Sequence, residues 1–160
     1  MTYKHTKTKH IFLIFFGVIA YFLYVVMSDI YPLLPPLMGV LFLMFHRHYD
    51  DEKFYIPIVI LACLLFFEFD KVLLAGIIPC VFFIVQFFIA QQLESILLVN
   101  AVFVLIYVCM LYLLYFAGLL LCNILFKTPM LDVSTIYIYY LILDCALALL
   151  YYYIFIKEQQ

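Results

Sequence analysis

From Ile11 onward the chain is a succession of apolar runs, and no polar stretch between them exceeds about a dozen residues. The runs cover 11–28, 30–45, 54–67, 72–90, 96–122 and 133–156. Runs of this kind, packed one after another, suit a chain whose solvent is lipid. There the backbone must satisfy its own hydrogen bonds and therefore coils into helices. Composition agrees: 71% of the residues are hydrophobic and 11% are charged, against roughly 45–50% and 25% in soluble domains. A length of 160 residues allows one domain. The expectation is an all-α integral membrane fold, a compact bundle of about six short transmembrane helices in a single domain. The loops leave no room for a soluble catalytic module. A net charge of −2 with no basic stripe excludes a nucleic-acid binder.

The ends of the runs set the details. Lys4, Lys7 and Lys9 precede the first run, which gives it the look of a signal peptide. No small-residue cleavage site follows at Met27-Ser28-Asp29-Ile30, so it reads as a retained first span. Pro32, Pro35 and Pro36 crowd the start of the second run. A helix that begins only at Pro36 is too short to cross alone, which makes this segment kinked or re-entrant. The segment from His46 to Lys53 reads as the most polar loop, and Glu68-Phe69-Asp70-Lys71 reads as a break after the third run.

Charge sets the orientation. With six spans and both termini in the cytoplasm, Lys4, Lys7, Lys9, Arg47, Lys53 and Lys157 lie inside and only Lys71 and Lys127 lie outside. This is the better fit to the positive-inside rule than the arrangement in which 30–45 does not cross. Tyr137, Tyr139 and Tyr140 at one end of the last run, and Tyr151, Tyr152 and Tyr153 at the other, have the spacing of two interfacial aromatic belts. Codon bias toward aromatic residues is the plainer account of them.

Few polar residues are candidates for function. Asp144 sits midway along the last run, where a carboxylate needs a partner. It is either a proton or cation site or, more plainly, part of a helix–helix hydrogen bond. Its candidate partners are Gln86, Asn100, Tyr107 and Tyr112. Glu68 and Asp70 lie at a membrane edge. They form either a paired-carboxylate hydrolytic site or, more plainly, a solvated loop or charges favoured by the N-terminus of the next helix. His46-x-His48 with Asp50, Asp51 and Glu52 is a crude metal pattern with nothing to fix its geometry. Gly76 with Cys80, and Gly118 with Cys122, have the small-xxx-small spacing that lets membrane helices approach closely. The five cysteines are irregularly spaced and read as free thiols in apolar runs. No nucleophile, phosphate or dinucleotide motif occurs, so no enzyme activity and no cofactor or metal is expected.

Three features together resemble the rod shape-determining MreD family of the bacterial inner membrane. The second run opens on Pro35-Pro36-Leu37-Met38-Gly39-Val40-Leu41 and ends in His46-Arg47-His48. The third ends in an acidic residue, Glu68, with Gly76 eight positions on, where the family usually has aspartate. The last carries a mid-span polar residue, Asp144, often asparagine in the family, and a short charged tail follows. Two features depart from the family: Lys71-Val72-Leu73-Leu74 replaces a Ser/Gly-rich loop, and Lys157 is all that is left of a basic tail. The resemblance implies a non-enzymatic scaffold subunit of the cell-wall elongation complex, packed against the single transmembrane helix of MreC. It also implies a rod-complex glycosyltransferase, a class B transpeptidase and an actin-like filament as further partners, with lipid around the bundle. The implied fold resembles the substrate-binding subunits of energy-coupling-factor transporters. The alternative is a subunit of a small-molecule transporter with Asp144 and Gln86 lining a pocket, although the sequence shows no convincing repeat.

Overall fold

The computed structural model describes residues 2–31, 33–49, 55–71, 76–90, 101–126 and 136–156. All regular structure among them is helical: α1 (Thr2–Ile30), α2 (Met38–Tyr49), α3 (Tyr55–Asp70), α4 (Ile77–Ile84), α5 (Ala101–Phe126) and α6 (Ile136–Tyr151). Two helices end in a wider turn: α4 passes into a π-helical stretch over Val85–Ala90, and α6 into another over Tyr152–Ile156.

Proline chemistry explains the boundaries around α2. α1 stops at Ile30 because Tyr31 precedes Pro32, and a residue before proline is pushed out of the helical region. Pro35 and Pro36 then keep the chain extended, and α2 starts only at Met38, after Leu37 at φ 54°. Pro57 and Pro79 fall in the first turns of α3 and α4, where a missing N–H removes no intrahelical bond.

Polar contacts at the two ends of the bundle give the helix directions. Lys71, just past α3, pairs with Asp29 near the end of α1. At the other end His46 Nδ1 donates to Gln86 Oε1 at 2.9 Å, and Arg47 donates to the Phe155 carbonyl at 3.2 Å. The C-terminal ends of α2, α4 and α6 therefore meet opposite those of α1 and α3. α5 runs with α1 and α3: Phe103 near its start lies beside His46, while Gly118 lies beside Ile77 at the start of α4. The six rods thus alternate in direction.

The core is aromatic. Phe42 meets the edge of Phe82 and tilts against Tyr107, each at 5.3 Å between centroids. Phe103 stands edge-on to Tyr107 at 4.2 Å. A second cluster, Leu43, Val104, Val108, Ala148 and Tyr152, joins α2 to α5 and α6. α2, the shortest uninterrupted rod, is thus the one packed on most sides. The outer surface is as apolar as the core: Ile124 is 79% exposed, Phe88 68% and Phe16 67%. Among the described residues two helices are long and apolar enough to cross a membrane, over Ala101–Leu125 and Tyr137–Phe155. Ile14–Ile30 and Ile77–Phe88 are shorter apolar helices.

Several expected limits shift. The first helix begins at Thr2 rather than Ile11 and continues to Ile30. The second is displaced to 38–49, so His46, Arg47 and His48 form its last turn and not a loop. The third extends to Asp70, so Glu68 and Asp70 are helical rather than a break. The helix expected from Val72 begins at Ile77, because Gly76 at φ 99° turns the chain there. Residues 50–54, 72–75 and 96–100 lie outside the described residues, as do 127–135 and 157–160.

Candidate functional site

A helix leaves its first four N–H groups without partners, and a Ser, Thr, Asp or Asn at the N-cap normally accepts one of them. α2 and α4 have no such residue. The positions before them are Leu37 and Gly76, both in the left-handed region, and each offers only its carbonyl to the helix. Leu41 N–H donates to the Leu37 carbonyl and Cys80 N–H to the Gly76 carbonyl, both at 3.1 Å. A carboxylate from elsewhere in the bundle replaces the missing cap in each case.

At α4 the carboxylate is Glu68, fully buried at the end of α3. Gly76 N–H donates to its Oε2 at 2.5 Å and Ile78 N–H to its Oε1 at 2.6 Å. Both oxygens are thus engaged by backbone donors at a positive helix end, where the dipole also favours negative charge. At α2 the carboxylate is Asp144, fully buried on α6. Gly39 N–H donates to its Oδ2 at 2.8 Å, and the Tyr112 hydroxyl donates to the same oxygen at 3.1 Å. Its Oδ1 is buried without a hydrogen-bond partner. The two starts share a left-handed residue before the helix and a buried carboxylate on its second amide, Gly39 in α2 and Ile78 in α4. They differ in the source of the carboxylate, which is the preceding helix at α4 and the last helix at α2.

Gly39 is the residue that lets this happen at α2. A Cβ there would stand 2.7 Å from Val108 Cγ2 and 3.3 Å from both the Ala148 Cβ and Asp144 Oδ1. Only a bare Cα brings α2 close enough to α6 for the bond. Gly39→Val is expected to lower stability by about 1–3 kcal/mol through overpacking, measured by unfolding in mild detergent. An unchanged midpoint would mean that the helices separate freely here.

The other expected site residues fall elsewhere. Of the candidate partners of Asp144, Tyr112 makes the contact. Gln86 does not, because it lies at the opposite end of the bundle on His46. Tyr107 is buried in the aromatic core, and Asn100 lies outside the described residues. Asp70 does not join Glu68 in a site: it pairs with Lys71 at 3.6 Å. The Gly76/Cys80 packing face is not formed, because Gly76 precedes the helix, a Cβ on it meets nothing within 4 Å, and Cys80 is exposed. Gly118 does lie at a close approach, with its Cβ position 3.1 Å from Ile77 Cγ2, and Cys122 is half-buried on the same helix. His46 is stacked on Phe42 within the bundle, and no cluster of metal-ligating side chains occurs among the described residues. Asp50, Asp51 and Glu52 lie outside them.

Sequence reasoning missed Gly39 and Leu37. The signal was available for the glycine: a lone glycine three residues after a proline pair, at the head of an apolar run, marks a helix start under close approach. Nothing in the residue type marks Leu37, whose conformation is imposed by the fold around it. Between the two caps lies a cavity of about 290 Å³, lined by Ser28, Met38, Lys71, Tyr112, Tyr115 and Tyr140 among others.

No family model matches the chain, and no curated protein or solved structure matches it.

Proposed function

We propose that the chain is a multi-pass membrane protein of the bacterial inner membrane, with both termini cytoplasmic. On this reading it works as a non-enzymatic scaffold subunit of the wall-elongation complex, in the manner of the MreD family. The observation that carries this reading is that both short helices are closed by the protein's own carboxylates. In transporters, half-helix N-termini point at an anionic substrate. Here they are occupied, and the two buried carboxylates, Glu68 and Asp144, serve as caps. The wide apolar exterior supports lateral packing against other transmembrane helices, where close fit and hydrogen bonds drive association. Glu68 and Gly76, which carry much of the family resemblance, form one structural unit, which gives that spacing a physical reason.

A transporter subunit is the second reading, and the cavity between the two caps favours it. Affinity purification from native membranes in mild detergent, with mass spectrometry of the co-purifying chains, separates the two. Stoichiometric recovery of a single-span protein with a periplasmic coiled coil, as MreC would be, is the expected result. Recovery alone, or with a nucleotide-binding module, would overturn the scaffold reading in favour of transport. Asp144→Ala and Gly76→Leu are expected to lower partner recovery at equal expression, and unchanged recovery would detach these residues from assembly.

A further inference from the structure

The cavity between the two caps shares three wall residues with a second one. Tyr112, Tyr115 and Tyr137 line it and also line a second, larger space of about 710 Å³ between α5 and α6. The second space is apolar, walled by side chains such as Leu113, Phe116, Leu120 and Leu141, and it opens to the outside of the bundle. The two adjoin in the manner of an amphiphile, with a small chamber that carries Lys71, Ser28 and tyrosines beside a larger apolar groove between two helices.

The chamber also has a charge pattern. Lys71 is the cation on its wall, and it pairs with Asp29 and Asp70. Two carboxylates to one ammonium disfavour a net anion. A group carrying both a phosphate and an ammonium fits better: phosphate to Lys71, ammonium to Asp29, which pairs with Lys71 and is half exposed. Tyrosines are suited to this position because they offer an apolar ring to the groove and a polar tip to the chamber. An aromatic face also attracts an ammonium group.

We propose that this compound cavity is a specific site for one zwitterionic phospholipid of the phosphatidylethanolamine type, its headgroup in the Lys71 chamber and an acyl chain in the α5–α6 groove. The proposal rests on the membrane placement proposed above but not on the identity of any partner. The lipid would fill the seam between α5 and α6 close to the Tyr112–Asp144 contact and so tie the composition of the bilayer to the packing of α2.

The test uses the full chain purified in mild detergent, with phosphatidylethanolamine and phosphatidylglycerol of matched acyl chains added in equal amounts and retained lipid counted by native mass spectrometry. The wild type is expected to retain one phosphatidylethanolamine at about fivefold or more over phosphatidylglycerol, the scale of one charge-assisted contact. Asp29→Asn, which removes the carboxylate that takes the ammonium and repels the anion, should level that preference. Ala117→Trp, which fills the groove from α5 without touching the chamber, should abolish retention of either lipid. Equal retention of the two lipids by the wild type, or a preference unchanged in both variants, means only an annular shell and overturns the site. Extraction of native membranes with alkaline carbonate keeps the two failures apart. A chain that stays in the membrane but shows no preference loses only the lipid site, whereas a chain released by carbonate loses the membrane placement and the site with it.

Discussion

Asp144→Ala is expected to destabilise the bundle by about 2–4 kcal/mol, while Asp144→Asn costs about 1 kcal/mol. Alanine removes the acceptor shared by Gly39 N–H and the Tyr112 hydroxyl, which leaves the buried Gly39 amide unpaired and Tyr112 with only its long contact to the Tyr140 carbonyl at 3.5 Å. It also leaves the first turn of α2 without its cap, and the apolar side chain of Leu37 cannot substitute. The loss is moderated because a buried carboxylate is itself expensive, and its removal refunds part of that expense. Asparagine keeps an oxygen at the Oδ2 position and lays its amide where Oδ1 now lies without a partner. Tyr112→Phe removes one donor and is expected to cost about 0.5–1 kcal/mol, with the Asp144→Ala/Tyr112→Phe double variant falling short of the sum of the singles. Unfolding titrations in mild detergent read all four. Equal losses for alanine and asparagine would show that charge and not acceptor geometry holds α2, and additivity of the double variant would deny the contact.

The two caps differ in how far they could be read ahead of the structure. Glu68 and Gly76 are eight residues apart, so a carboxylate followed by a glycine at a helix start is a local pattern. The favourable field of the next helix is the plain reading of it. Asp144 and Gly39 are 105 residues apart, and nothing local pairs them. The sequence exposes Asp144 as a buried charge in need of a partner and admits Tyr112 as a candidate. It cannot supply Gly39, because the donor is a backbone amide that every residue carries. Gln86 was a false partner for the same reason: polar residues inside apolar runs suggest each other, but their depth depends on where each helix begins. The proline-driven delay of α2 and the turn at Gly76 set those starting points. The all-helical class, the break before α2 and the six-rod layout follow from apolar run length and proline. The carboxylates that close the first turns at Met38 and Ile77 come from tertiary contacts, which no run of letters displays.

Glu68→Ala is expected to have the second largest effect, about 2–3 kcal/mol, and to act locally. Both Glu68 oxygens accept from the first turn of α4, so alanine frees the amides of Gly76 and Ile78 together. α4 proper is only eight residues before it widens into the π-helical stretch, and so short a helix has little of its own to resist fraying. Hydrogen exchange in detergent should therefore speed up at 76–80 while the central amides of α5 stay protected. Glu68→Gln, which keeps one acceptor oxygen, should fall between. Gly76→Ala isolates the other half of the device. Its Cβ has open space around it but must be held at φ 99°, so the expected loss is about 1–2 kcal/mol, conformational rather than steric. If Glu68→Ala instead loosens all helices equally, the carboxylate stabilises the bundle as a whole and not the start of α4. If exchange at 76–80 is unchanged, the cap is redundant, and the matching construction at α2 loses its closest parallel.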